Sequence, residues 1–285
     1  MSNKQQYSGS SVVDASNDLS NFWADCPLAD IRNGWRRGWY HEDDFAEMSL
    51  IGGVLTTQIG FNRGKAFATS GANIVPVTIL NSVEAGGSNL QLLSAAANDR
   101  HGYAQAYPVF FMTGSPATSG PLWMETRLAL TTIATATTGL LLGLAEVDQW
   151  ALAAGVPFGT NDSIAITNTA SFIGFNKATT GLGVGNTAVS DRATSMTNIG
   201  ASEVTFAANT FVKLGMKYDP IGGANMFTFY VNGVKTATRY TAANLTATTN
   251  LKANPLGMIL ATIGGSAIST NSVHLDWWKC YQLAP

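Results

Sequence analysis

The sequence predicts an all-β protein, and three observations support this fold class. Asn232-Gly233 lies between the β-rich runs 227–231 and 234–236, and this dipeptide favours a hairpin because both central residues of a type I′ turn need positive φ. Apolar and polar side chains alternate from Leu122 to Leu130, as expected of a strand with one face in a core. From about residue 50 onward, Gly, Asn and Ser separate short apolar runs, which is typical of a sandwich or barrel.

Each apolar or alternating run is predicted to be one strand, and one segment is predicted to be helical. From Glu146 to Ala154, Val147 and Trp150 lie at helical spacing, and Gly155 and Pro157 would end the helix. The predicted strands lie near 51–61, 74–80, 89–95, 107–113, 122–131, 139–145, 162–168, 171–176, 183–189, 210–218, 225–231, 234–240, 256–262 and 272–282.

The composition suits a protein that packs beside copies of itself or other proteins, and it argues against nucleic-acid binding. Only 12% of the 285 residues are charged and the net charge is −2, so self-repulsion is weak. Many bacterial and secreted β proteins share this neutral surface. Arg36-Arg37 is the only adjacent basic pair, whereas nucleic-acid binding requires a basic face that neutralises phosphates.

The ends of the chain and its two cysteines bear on where the protein is made. The first residues lack the apolar core of a signal peptide, and no run is long enough to span a membrane. We therefore expect synthesis in the cytoplasm, with any export by another route, and no membrane partner. Cys26 and Cys280 are expected to be free thiols, with a bridge between them as the alternative.

The N-terminal 45 residues differ from the rest, which divides the chain into an N-terminal arm (1–45) and a β domain (46–285). Residues 1–20 are polar, and 21–45 combine acids with many aromatics that require a partner to cover them. The arm could bind another protein, fold back on its own domain, or do both. The predicted interface anchors are Phe22, Trp23, Trp35, Trp39 and Tyr40.

No pattern in the sequence predicts a catalytic, cofactor or metal site. Glu146-Val147-Asp148 falls short of the Glu-x-Asp-x-x-Glu pattern of β-jelly-roll glucanases because Ala151 takes the third acidic place. Glu42-Asp43-Asp44 could hold Ca²⁺, but a solvated or backbone-capping turn is favoured. The three histidines have no zinc-site spacing.

Trp277-Trp278 is the candidate for stacking on sugar rings. Consecutive strand residues point to opposite faces, so one indole is expected in the core and the other outside. The outer indole could cover an interface or a sheet face, which we favour, or form a sugar platform.

The order of these features resembles concanavalin A-like, laminin-G-like jelly rolls over residues 45–285. This resemblance implies two stacked antiparallel sheets. It rests on Trp123-Met124-Glu125, the run 139–144, the run 171–175, the run 211–215, the Tyr230-Val231-Asn232-Gly233 hairpin and Leu275-Asp276-Trp277-Trp278.

A narrower likeness involves the run 22–28 and Asp43-Asp44-Phe45, which precede the jelly roll. Together they resemble structural proteins of tailed bacteriophages, which include capsid decoration and cement proteins. This implies a non-enzymatic virion protein on the capsid surface, whose partners are the major capsid protein and copies of itself. The alternatives are a carbohydrate-binding or receptor-binding tail protein, and a glycoside hydrolase or lyase.

Overall fold

The computed structural model describes residues 22–23, 25–34, 37–45, 59–60, 64–69, 90–94, 100–135, 137–146, 171–191, 196–241, 254–266 and 271–285. No helix in these ranges has the length and apolarity that a membrane span requires. The elements are α1 (Leu28–Asn33), β1 (Gly38–Asp43), β2 (Ile59–Gly60), β3 (Gly64–Thr69), β4 (Leu90–Ser94), β5 (Arg100–Gln105), β6 (Leu122–Leu130), β7 (Thr138–Ala145), β8 (Ser171–Lys177), β9 (Val184–Asp191), β10 (Thr197–Thr205), β11 (Val212–Tyr218), a 3₁₀ turn (Gly223–Asn225), β12 (Phe227–Val231), β13 (Val234–Tyr240), β14 (Gly257–Gly264) and β15 (Asn271–Leu283).

The strands form two antiparallel sheets, which confirms the predicted fold class. Sheet A has the order β1-β15-β6-β11-β12-β13, and sheet B the order β10-β9-β8-β7-β14-β5-β3-β2. The long strand β15 pairs with β4 along its first half and with β1 along its second half. Its other edge pairs with β6. The N-terminal strand β1 is therefore an edge strand of sheet A.

The main hydrophobic core lies between the two sheets. Alternation brings every second residue of a strand to this side, so Leu214 of sheet A and Leu142 of sheet B share the same buried cluster. Trp278 is fully buried there, whereas Trp277 is half-buried on the outer face. The prediction that only one of these two indoles enters the core is confirmed.

The predicted hairpin at Asn232-Gly233 is confirmed. It joins β12 to β13, and φ is 51° at Asn232 and 79° at Gly233. Asn232 also accepts a hydrogen bond from Lys213 N through its Oδ1 at 2.9 Å. This bond ties the turn to β11.

Most of the strand predictions that fall in the described ranges are confirmed. The matching predictions, each with its observed strand, are 89–95 (β4), 122–131 (β6), 139–145 (β7), 171–176 (β8), 183–189 (β9), 210–218 (β11), 225–231 (β12), 234–240 (β13), 256–262 (β14) and 272–282 (β15). The prediction near 51–61 overlaps β2 at its end. Those near 74–80 and 162–168 lie outside the described residues, as does the predicted helix beyond Glu146.

One strand prediction is wrong, and four strands were missed. The run 107–113 forms only an isolated bridge between Phe110 and Leu256, since Pro108 cannot donate to a ladder and the Gln282 side chain bonds the backbone of Phe111 instead. The strands that sequence reasoning missed are β1, β3, β5 and β10. The short helix α1 was missed as well.

Candidate functional site

The outer face of sheet A carries the charged and aromatic side chains of three neighbouring strands. In β6, Leu122 and Met124 enter the core, so the intervening Trp123 and Glu125 point outward. The register places Lys279 of β15 opposite Glu125. The remaining outward residues are Arg127 of β6, Lys213 and Lys217 of β11, and Trp277 and Tyr281 of β15.

Residues 22–23 and 25–31 cover one end of this face. Phe22, Trp23 and Ile31 pack against Trp123 and Tyr281 to form a hydrophobic cluster separate from the main core. The rings of Phe22 and Trp23 meet edge to face at 4.9 Å. Burial of these aromatics holds the segment against its own sheet.

Two indole–carboxyl hydrogen bonds join this segment to sheet A in opposite directions. Trp23 Nε1 donates to Glu125 Oε2 at 2.6 Å, and Trp123 Nε1 donates to Asp25 Oδ1 at 3.0 Å. Asp25 also forms an ion pair with Lys217. Each partner thus supplies one indole and one carboxyl group, which fixes the register of the segment on the sheet.

Glu125 lies beneath this segment and is only 1% exposed. Burial raises the pKa of its carboxyl group above the ordinary value of 4.5, against the lowering effects of the Trp23 hydrogen bond, Lys279 and Lys213. In this arrangement Glu125 holds the N-terminal segment on the sheet, because its carboxyl group accepts the Trp23 hydrogen bond and is covered by that residue.

The other end of the outer face holds a polar–aromatic cluster, defined by Arg127, Asp276, Trp277 and Lys279. Asp276 is the extra residue at a bulge in β15 and forms an ion pair with Arg127. Lys279 Nζ lies 4.6 Å from the centre of the Trp277 ring. Burial lowers the pKa of Lys279, while Glu125 and other acids raise it. Such a set of charges beside an indole could bind a polar ligand.

A second candidate surface lies at the free edge of sheet A. Trp39 and Tyr40 of β1 are 40% and 48% exposed, and Phe111 is 36% exposed. Trp39 is the register partner of Gln282. The side-chain amide of Gln282 accepts a hydrogen bond from Phe111 N and donates one to Phe111 O. We call Trp39, Tyr40 and Phe111 the β1-edge surface. No strand in the described ranges pairs with this edge.

The structure separates the five predicted interface anchors into two groups. Phe22 and Trp23 are buried against sheet A, whereas Trp39 and Tyr40 are exposed. Trp35 lies outside the described residues. A role of these residues in binding another protein stays a prediction.

The acidic residues that the sequence singled out have local structural partners where they are described. Glu146 is 3% exposed and accepts hydrogen bonds from Ser171 N and Asn254 Nδ2. Asp148 lies outside the described residues. Asp43 Oδ1 accepts from Phe45 N at 2.8 Å, which is the capping turn that the sequence analysis favoured. In the ranges searched, no group of three His, Cys, Asp or Glu residues is arranged to hold a metal ion.

The two cysteines are free thiols, as predicted. Cys280 is buried in the main core and Cys26 packs against the cluster on the outer face of sheet A. Burial raises the pKa of both thiols. A raised thiol pKa disfavours the reactive thiolate, so neither cysteine is suited to nucleophilic chemistry.

Sequence reasoning missed the roles of Glu125 and Lys177. Glu125 takes a polar position in an alternating strand, and its burial depends on Trp23, far away in the chain. Lys177 ends β8 and is fully buried, with Nζ donating to Thr138 O at 2.7 Å and Ala178 O at 3.2 Å. The only sequence signal for its burial is its position in the strand, which alternates in step with the inward-facing residues Ile173 and Phe175.

Comparison with known proteins identifies the fold. No protein-family model and no curated protein sequence matches the chain. Three similar solved structures are a protein of unknown function from Shewanella oneidensis MR-1 (16% identity, TM-score 0.51, covering 88% of each chain), an endo-1,3-beta-glucanase from Streptomyces sioyaensis (16%, 0.53, covering 86% of this chain and 96% of the other) and peanut lectin (14%, 0.53, covering 87% and 99%).

At these identities the likeness concerns the fold alone. The two antiparallel sheets, packed face to face around the main core, agree with it over most of the chain. The protein is a concanavalin A-like jelly-roll sandwich.

Proposed function

We propose that this protein is a non-enzymatic structural component of a tailed-bacteriophage particle, a capsid decoration or cement protein that acts through protein–protein contacts. The observation that carries the proposal is the exposure of Trp39 and Tyr40, which are 40% and 48% accessible on an edge strand. Large aromatic rings dominate interface energetics when a partner covers them. The phage resemblance of residues 22–28 and 43–45 supplies the kind of particle.

In this proposal the predicted arm has two parts with different roles. Phe22 and Trp23 fasten the segment to its own jelly roll through buried packing and the bond to Glu125. This attachment presents β1 at the side of the sandwich, where its aromatics can meet the capsid protein or another copy. Contacts repeated over many copies stabilise a shell even when each one is weak.

Co-sedimentation of the full-length protein with phage shells assembled without it tests the proposal. We expect saturable binding at a fixed ratio to the capsid protein, and better survival of the shells on heating. Trp39→Ala should weaken binding by about 2 kcal/mol, roughly thirtyfold. The control is Ile221→Ala, since Ile221 is 75% exposed on the loop between β11 and β12. Absence of binding by the unaltered protein would refute the capsid role.

The polar–aromatic cluster favours a second candidate function, the binding of a glycan. Trp277 is half-buried on the outer face, with the Arg127–Asp276 ion pair beside it. An indole next to charged hydrogen-bonding groups can stack on a sugar ring and bind its hydroxyls. The glucanase and peanut lectin named above are proteins of the same fold whose names refer to carbohydrate.

A glycan array with the full-length protein separates the two candidates. Binding that Trp277→Ala abolishes and Trp39→Ala leaves intact would support the glycan function. An array without signal across bacterial surface glycans would count against it. Because Lys279 already occupies one face of the Trp277 ring, Lys279→Ala should strengthen sugar stacking if the indole is the platform.

A further inference from the structure

Lys235 and Arg239 of β13 are cations without an acidic partner among the residues that the structure describes. Lys217 of β11, in contrast, forms an ion pair with Asp25 of the N-terminal segment. Lys235 is also exposed to solvent. The two charges of β13 are therefore available to a ligand.

An irregularity in the β12–β13 ladder brings these two cations close together. Arg239 is the register partner of Thr228 and Lys235 that of Tyr230, so four residues of β13 advance alongside only two residues of β12. Two strand residues rise by about 7 Å, whereas a regular ladder would set the cations about 13 Å apart. Phe229 lies in the main core, so Thr228 and Tyr230 on either side of it point to the outer face, together with their register partners.

Tyr230 contributes a hydroxyl group beside the cations. Thr228 Oγ1 donates a long hydrogen bond of 3.5 Å to Tyr230 OH, which leaves the O–H of Tyr230 able to donate to a ligand. The Tyr230 ring meets the Phe22 ring edge to face, with 4.9 Å between the ring centres. Gly215 makes room for this contact, because a Cβ there would lie 3.1 Å from the Phe22 ring. The N-terminal segment thus holds the Tyr230 ring in place.

Arg239 is fixed by the backbone of its own strand. Its Nη1 donates to Thr236 O, and to Thr238 O at 2.6 Å. Its Nη2 and Nε remain as donors, and a guanidinium that is already fixed loses less entropy when it binds. Glu203 of β10 reaches this strand, but its Oε1 accepts hydrogen bonds from the backbone N and the hydroxyl of Thr238.

We call Tyr230, Lys235 and Arg239 the β13 cationic patch, and its size indicates what it fits. Burial lowers the pKa of Lys235, and the nearby Arg239 and Lys217 lower it further, so an anion would relieve this repulsion. A guanidinium binds a carboxylate through two parallel hydrogen bonds. A long polyanion requires a stripe of cations along its backbone, whereas the next cation on this face, Lys217, already pairs with Asp25.

We infer that the β13 cationic patch binds a short acidic segment of a partner protein. Arg239 and Lys235 receive its carboxylates, and the hydroxyl of Tyr230 donates to one of them. The patch lies at the opposite edge of sheet A from the β1-edge surface. It is therefore a second interaction surface, which goes beyond the proposed function.

Titration calorimetry of the full-length protein with an oligoglutamate peptide at low salt tests the inference, with oligoglutamine as the uncharged match. We expect oligoglutamate alone to bind, and added NaCl to weaken it by screening. Arg239→Gln and Lys235→Gln should each raise the Kd by about fivefold. Arg239→Lys should have an intermediate effect, because it keeps the charge and loses the planar fork. The matched control is Arg37→Gln, which removes an exposed cation beside β1 and should leave the Kd unchanged.

Four results would each overturn the inference. The first is no binding of oligoglutamate, and the second is an equal loss of affinity in Arg37→Gln and Arg239→Gln. The third is normal peptide binding by both β13 variants together with new self-association, since the cations would then serve only to keep this edge from pairing. The fourth is tighter binding of polygalacturonate than of oligoglutamate, which would make the partner an acidic glycan. The titration uses no shells, so its outcome is separate from that of the capsid experiment.

Discussion

Trp23 Nε1 donates a hydrogen bond of 2.6 Å to Glu125 Oε2, and Trp123 Nε1 donates one of 3.0 Å to Asp25 Oδ1. The two bonds run in opposite directions between the N-terminal segment and sheet A. They differ in environment, because Glu125 is 1% exposed whereas the side chain of Asp25 is 55% exposed. The same pair of chemical groups should therefore contribute differently to stability.

Trp23→Phe should lower the free energy of unfolding by about 1–3 kcal/mol, because the buried Glu125 carboxyl loses its indole donor. Trp123→Phe should lower it less, since water can replace the indole at the half-exposed Asp25. Urea unfolding of the two variants measures the difference. Equal losses would contradict the view that burial of the acceptor decides the effect.

Glu125→Gln should change how stability depends on pH. Burial raises the folded pKa of Glu125 above its ordinary value of 4.5, so the folded state holds more protons than the unfolded state between these two values. Stability from this group is thus present below pH 4.5 and is lost as pH rises through the folded pKa. As pH rises through the folded pKa of Glu125, we expect Glu125→Gln to become more stable relative to the unaltered protein. A constant difference between the two unfolding curves would count against a raised pKa.

The sequence predicted those parts of the fold that depend on neighbouring residues. The hairpin at Asn232-Gly233 and the alternation in β6 are local signals, and both are confirmed. Strand β1 was missed because its aromatics do not alternate with polar residues and its partner β15 lies at the other end of the chain. The burial of Glu125 could not be predicted for the same reason, since Trp23 reaches it only after the chain has folded.

Gly233→Ala should destabilise the protein by about 1–2 kcal/mol, because its φ of 79° lies in the left-handed region that an L side chain disfavours. Gly181→Ala is the control. Its φ lies outside that region, and the nearest atom to an added Cβ would be Val184 O at 3.3 Å. Thermal unfolding should show the larger fall in Tm for the first variant and a smaller fall for the second, where Val184 O must shift slightly to admit the added Cβ. Similar melting temperatures would argue against a strained turn.

Lys177→Met should remove a rise of stability at alkaline pH. Burial lowers the folded pKa of Lys177 from 10.5 to about 8, so the unfolded state holds more protons than the folded state between these values. The free energy of unfolding should therefore increase with pH over this interval, by at most about 1.4 kcal/mol per pH unit from this group.

Urea unfolding of both proteins from pH 7 to pH 11 isolates the contribution of Lys177, because the remaining titrating groups contribute to both curves. The free energy of unfolding of the unaltered protein should increase relative to that of Lys177→Met as pH rises from about 8 to 10.5. Lys177→Arg should behave like the Met variant in its pH profile, since the guanidinium stays charged throughout. If all three profiles were parallel, the ammonium group of Lys177 would have to reach water in the folded protein. Contact with water, together with the bonds to Thr138 O and Ala178 O, would then explain why a lysine is tolerated at the end of β8.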